Sequence, residues 1–222
     1  MKKLFRLDSP VFRFLSKVGS LILLSLCWLV CCLPVITVGA STAALLRCCF
    51  DLREDKDGLF RAFFKAFVSD LKVGTAVWVI LALCFLLAYC IPQLAAALGS
   101  QMLAVLAIGC TCAVYLLLWL VLVCVFPLVA YFDNTVKKTL RNALFVAVKN
   151  RKQSIPAAIL AAVPVLLFLA LPEVFLFSSG LWLLLYPGVI AYFMACRFAP
   201  IFLEYGNRKQ ETEKEETQHE TL

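Results

Sequence analysis

Eleven cysteines are the first residues to test for chemistry: Cys27, Cys31, Cys32, Cys48, Cys49, Cys84, Cys90, Cys110, Cys112, Cys124 and Cys196. A zinc site or a thiol–disulfide couple needs Cys-x-x-Cys pairs or Cys and His at set spacings. None of the eleven stands in that pattern. Most fall inside apolar runs, where a free Cys acts as a small apolar residue. Packing is therefore their reading, with Cys31 and Cys32 open to modification or bridging and Cys48 and Cys49 to palmitoylation. The one histidine, His219, lies in the polar C-terminal segment, which excludes a His-dependent hydrolase or a histidine-ligated metal. No Walker-type glycine loop is present to cradle a nucleotide. Asp133 and Glu173 fall at opposite ends of the expected spans, too far apart for acid–base work. We expect no catalysis, no cofactor and no metal.

One cation does call for an explanation. Arg47 lies within an apolar run, and an intramembrane charge costs about 2.5–3.5 kcal/mol on insertion scales. It could contact an anionic substrate or headgroup, or it could snorkel or make a structural hydrogen bond.

The elements that must hold these residues follow from composition. Hydrophobic residues make up 63% of 222 and charged ones 16%, against roughly 45–50% and about 25% in soluble domains. Apolar stretches at about 18–46, 73–92, 101–130, 155–171 and 174–203 approach or exceed the roughly 20 residues that cross a bilayer core. The fold class is all-α, a polytopic membrane helical bundle. Residues 1–203 form one transmembrane domain, and 204–222 a polar tail expected to be disordered. Lys2, Lys3, Arg6, Arg13 and Lys17, followed by the apolar Leu21–Val30, resemble a secretory signal. The run continues past Pro34 without a clear cleavage site, so it reads as a retained anchor.

Charge then sets the topology. Of the 21 Lys and Arg residues, five fall in 1–17, six in 47–72, six in 137–152 and four in 197–214. The breaks at 33–42, 92–101 and 172–180 hold none. Positive charge near span ends marks the cytoplasmic side. A single span over 18–46 would divide the first two basic groups, whereas a hairpin turning at Pro34–Gly39 unites them. Pro34 cannot donate to a continuing helix, Gly39 permits a helix-ending backbone, and Ser41 or Thr42 can cap the next helix. The small residues Ala40–Ala44 suit close helix contact in lipid. The reading is about six spans, with N- and C-termini cytoplasmic in a cell membrane; five spans with the N-terminus outside stays open. The later spans are about 73–91, 101–127, 155–171 and 181–200, with outer breaks at 92–100 and 172–180.

Two cytoplasmic segments are amphipathic. In 59–72, Phe60, Phe63, Phe64, Phe67 and Leu71 recur at helical spacing, opposite Arg61, Lys65, Ser69 and Lys72. In 136–149, Val136, Leu140, Ala143, Leu144 and Ala147 form the stripe, with Lys137, Lys138, Arg141 and Lys149 outside it. Such helices suit an anionic headgroup surface, or they dock a partner. The candidate docking residues are Arg61, Phe64, Lys65, Lys72, Lys137, Lys138 and Arg141. The candidate functional hairpin is Pro34, Thr37, Gly39, Ser41, Thr42 and Arg47.

The run Leu33–Leu45 followed by the Phe-rich helix Arg61–Lys72 resembles the YesL family of bacterial membrane proteins. The likeness covers roughly residues 5–200, with Gly39, Thr42, Ala43, Ala44 and Leu45 matching the family's turn-to-helix step. The resemblance implies a Gram-positive setting beside genes for carbohydrate ABC transporters and polysaccharide breakdown. It carries over no catalytic residue. The expected function is a non-catalytic accessory to carbohydrate uptake, whose partners are the lipid bilayer and ABC transporter permease subunits, with no nucleic acid. The alternative is a small transporter or channel, for which Thr37, Ser41, Thr42, Arg47, Thr75, Thr111 and Tyr115 are a thin polar supply. Oligomeric state is not legible.

Overall fold

The computed structural model describes residues 10–97, 101–132 and 134–220. Helices α1 (Pro10–Cys31), α2 (Val38–Arg53), α3 (Leu59–Ala97), α4 (Gln101–Tyr131), α5 (Val136–Lys149), α6 (Arg151–Ala170) and α7 (Pro172–Glu220) make the fold, with a short 3-10 turn at Val35–Thr37. No strand occurs among the described residues. Among the described residues, five helical segments are long and apolar enough to cross a membrane: Val35–Arg53, Leu59–Ala97, Gln101–Tyr131, Arg151–Ala170 and Trp182–Tyr205. The apolar part of α1, Leu15–Cys31, is shorter. The expected all-α membrane bundle is what the chain forms.

The first apolar block does double back. The Trp28 indole donates to Thr42 Oγ1 at 3.2 Å near the turn. Lys17 meets Asp55 at 2.8 Å at the far end. Those two contacts fix α1 and α2 as antiparallel arms.

Several expected boundaries move. The Phe-rich segment and the third span are one 39-residue helix, α3, because nothing between Leu59 and Ile91 breaks a helical backbone; the change from charged to apolar side chains alters only the surroundings. The expected break at 92–100 is helical to Ala97, through Pro92, and its remainder, 98–100, lies outside the described residues. Likewise α4 passes Pro127 and ends at Tyr131. The expected break at 172–180 is the start of α7. Proline at a first helical position gives up an N–H that has no helical partner anyway, so Pro172 opens the helix directly after Leu171 (φ −140°, ψ 68°). The segment after Tyr205, expected to lack order, is helical to Glu220. Its Glu, Lys, Gln and Arg are all good helix formers.

The bundle has two unlike halves. In the base, α2 packs between α1, α3, α4 and α7, and eleven of its sixteen residues are buried. The core there includes Phe63, Phe198 and Phe202, with Phe50, Tyr131 and Phe132 ringed around Phe202. Above the base, α3 pairs with α4, and Phe85 stacks on Tyr115 at 5.7 Å. There α3 buries only a stripe, Leu81, Ala88 and Ala95, whose seven-residue recurrence is the seam of two helices crossing at a shallow angle. The second pair, α6 and α7, is joined by the Tyr186 hydroxyl donating to the Leu160 carbonyl and, lower down, Arg197 to the Lys152 carbonyl at 2.8 Å.

Candidate functional site

The hairpin turn is closed by its own polar groups. Thr37 donates its N–H to the Pro34 carbonyl at 2.9 Å. Its Oγ1 lies 2.7 Å from the carbonyl oxygens of both Cys31 and Pro34. Leu33, Pro34, Val35 and Ile36 are all exposed around it, so the turn presents an apolar surface. Ile36 and Thr37 share a surface hollow with Leu71, Lys72, Thr75, Ala76, Val79 and Ile80 of α3. Beyond Ile80, α3 runs 17 further residues to Ala97, about 25 Å at helical rise. The turn, expected to face the outer side, therefore stops well short of the α3–α4 end.

Ser41 and Thr42 are not caps. The 3-10 turn leads straight into α2, which begins at Val38, so both lie inside the helix. Ser41 donates to the Thr37 carbonyl at 3.0 Å and Thr42 to the Val38 carbonyl at 2.7 Å. Gly39 does not end a helix either. The one glycine with a positive φ among the described residues is Gly58, in the α2–α3 loop. Gly39 instead lets α2 touch α3: a methyl group there would overlap the Gly74 carbonyl oxygen and approach Trp78 Cβ to 2.7 Å. A methyl on Gly74 would meet Ala40 Cα at 2.8 Å. Backbone lies against backbone, an approach that only small residues permit.

About two turns beyond Gly39 on α2, Arg47 finds a partner. Its Nη2 lies 3.0 Å from Asp70 Oδ1 and 3.4 Å from the Val129 carbonyl. The Asp70 side chain is 6% exposed and that of Arg47 30%. The structural hydrogen bond is thus the reading of Arg47 that the geometry favours. Ser69, Asp70, Val73, Val129, Phe132, Asn134 and Thr135 line a cleft of about 380 Å³ beside the pair. Asp133, which follows Phe132, lies outside the described residues.

Sequence reasoning missed Asp70. Its signal was available: Phe63, Ala66, Asp70, Gly74, Val77 and Leu81 are the buried line of α3, and Asp70 is the one charge on it. The expected Phe stripe is displaced in consequence. Phe63 is buried and Phe67 half-buried, while Phe60 and Phe64 are exposed.

The docking candidates all lie in the base. Arg61, Phe64, Lys65 and Lys72 are exposed on α3, and Lys137, Lys138 and Arg141 on α5. Helix α5 turns Thr139, Ala143, Val146 and Ala147 inward. Leu144, expected inside, is exposed, since the true stripe is rotated toward Thr139 and Val146. Phe145 and Val148 are exposed as well, with Lys149 Nζ 5.1 Å from the Phe145 ring centroid. At the start of the α2–α3 loop, Asp51 in the last turn of α2 and Glu54 each hold Lys56 Nζ at 2.8 Å and raise its pKa above the usual lysine value. Among the described residues, no cluster of three or more His, Cys, Asp or Glu could hold a metal ion.

No curated protein and no solved structure matches the chain. Residues 21–90 match the family described as a protein of unknown function, DUF624, a stretch that contains the hairpin, both touching glycines and both members of the Arg47–Asp70 pair.

Proposed function

We propose that this chain is a multi-pass membrane accessory protein without catalytic activity of its own, which assists carbohydrate uptake by docking ABC transporter permease subunits. The supporting observation is the character of the base. Lys17, Arg197 and every cation between them in sequence lie there, while α3 beyond Lys72, α4, α6 beyond Lys152 and α7 before Arg197 carry none. Positive charge gathers on the cytoplasmic side, so the base faces the cytoplasm and both termini lie there.

On that side the exposed faces of α3 and α5 mix cations with large apolar side chains, namely Phe60, Phe64, Val68, Leu144, Phe145 and Val148. A face of this composition outside the hydrocarbon is suited to a protein partner or a headgroup layer. The carbohydrate setting rests on the likeness to YesL proteins. The family match to residues 21–90 is compatible with it and names no activity.

Crosslinking in intact membranes, followed by capture of the tagged chain in mild detergent, is the test. Permease subunits of sugar transporters are expected with the native chain and at least fivefold less with Lys137→Glu/Lys138→Glu/Arg141→Glu. Their absence from the native capture, with sugar uptake unchanged when the chain is deleted, would overturn the proposal.

A further inference from the structure

Where the base meets the two long helix pairs, a cavity of about 280 Å³ opens among α1, α2, α3, α4, α6 and α7. Its walls include Trp28, Trp78, Trp119, Tyr186, Ile190 and Met194. No charged side chain lines it. The polar atoms on its walls are used within the protein: Trp28 Nε1 on Thr42 Oγ1 at 3.2 Å, Thr42 on the Val38 carbonyl at 2.7 Å, Trp119 Nε1 on the Ala158 carbonyl at 3.1 Å, and the Tyr186 hydroxyl on the Leu160 carbonyl.

A buried water needs two to four polar partners, and this cavity offers none, so water does not settle in it. No charge and no unused side-chain hydrogen-bonding group remains here to hold an anion or the hydroxyls of a sugar. The volume corresponds to roughly nine groups of about 30 Å³, the liquid share of one water, and a methylene is of similar size. The wall residues Trp78, Trp119, Ala161 and Tyr186 belong to the four long helices α3, α4, α6 and α7, at a depth where neighbouring molecules are lipid. Met194 and the indole faces adapt to an irregular chain.

We propose that this cavity is a binding site for one acyl chain of a bilayer phospholipid, held between the two helix pairs as a structural filler. It is independent of the docking role proposed above.

The test uses the full chain with Trp182→Phe, which leaves Trp28, Trp78 and Trp119 as the only indoles. After reconstitution with phosphatidylglycerol brominated at mid-chain, the protein is extracted into unbrominated detergent. Tryptophan quenching is expected to persist, and native mass spectrometry to show one retained lipid. Ala161→Phe and, on a different helix, Leu122→Phe narrow the cavity; each should lower retained lipid and residual quenching at least fivefold while helical content stays the same. Ala161→Ser should retain both. Quenching that vanishes on extraction of the native chain would mean contact with surrounding lipid only, and would overturn the proposal. So would equal retention in the two filled variants, or a second copy of the chain in place of the lipid.

Discussion

The base and the paired helices above it are built from the same kind of apolar sequence and yet hold together differently. Helix α2 is buried on most of its surface, against four neighbours, with Gly39 on Gly74 and Arg47 on Asp70. The upper part of α3 buries a single line of residues, and Leu83, Leu86, Leu87, Ile91 and Leu94 stay exposed. In water an exposed surface of that extent would drive association. In lipid it costs nothing, because chains outside are as apolar as the side chains themselves. The difference teaches that the upper pairs are solvated by the bilayer, while the base is fixed by shape and by inward polar contacts such as the Arg47–Asp70 pair.

The first way to break this comparison is to force the halves of the base apart. Gly39→Leu should be the most damaging single change, since its side chain meets Gly74 backbone that cannot rotate away. Loss of a cooperative melting transition, or failure to recover folded protein, is the expected readout; a native-like melting temperature would mean that α2 and α3 do not touch.

Next comes the ion pair. Removing one member of a buried pair costs about 3–5 kcal/mol, and the partial exposure of Arg47 puts Asp70→Leu toward or below the lower end. The double variant Arg47→Leu/Asp70→Leu should recover much of that loss, as paired apolar replacement often does. A double variant as unstable as the sum of the singles would show that the two side chains act independently.

A smaller effect is expected at the turn. Thr37→Val keeps the shape and removes one hydroxyl bond, worth roughly 1 kcal/mol, and thermal unfolding in detergent would show it. The smallest belongs to the upper half, where Leu86→Ala and Leu87→Ala should each change stability by under about 0.5 kcal/mol. A loss of several kcal/mol at either position would mean that this surface is covered by protein and not by lipid.

How much of this was legible in the sequence depended on the range of the forces involved. The hairpin was readable because Pro34 acts locally and the cation pattern acts through a whole membrane. Helix α5 was readable because apolar residues recur at helical spacing opposite Lys137, Lys138, Arg141 and Lys149, although its buried line lies nearer Thr139 and Val146 than that spacing implied. The Arg47–Asp70 pair was not found, since its members stand 23 residues apart and Asp70 sits in a segment that looked solvent-facing beside Arg61, Lys65 and Lys72. Gly39 was noticed for its backbone freedom, whereas its use is the space it leaves for Gly74, a partner that only the packing reveals. Pro92 and Pro172 were read as breaks. A proline removes one hydrogen bond without dictating where a long helix stops, so the ends of α3 and α7 fell elsewhere.

The orientation of the base tests the account most directly. The four exposed cysteines, Cys90, Cys110, Cys112 and Cys196, would be replaced, leaving the buried and half-buried ones poorly reactive. Single cysteines would then be placed at Asp57 and Arg141 in the base and at Gln93 and Glu173 at the far ends of the long helices. An impermeant maleimide applied to intact cells should label the Gln93→Cys and Glu173→Cys chains, and should reach Asp57→Cys and Arg141→Cys only after the membrane is opened. Labelling of either base position in intact cells would contradict the account.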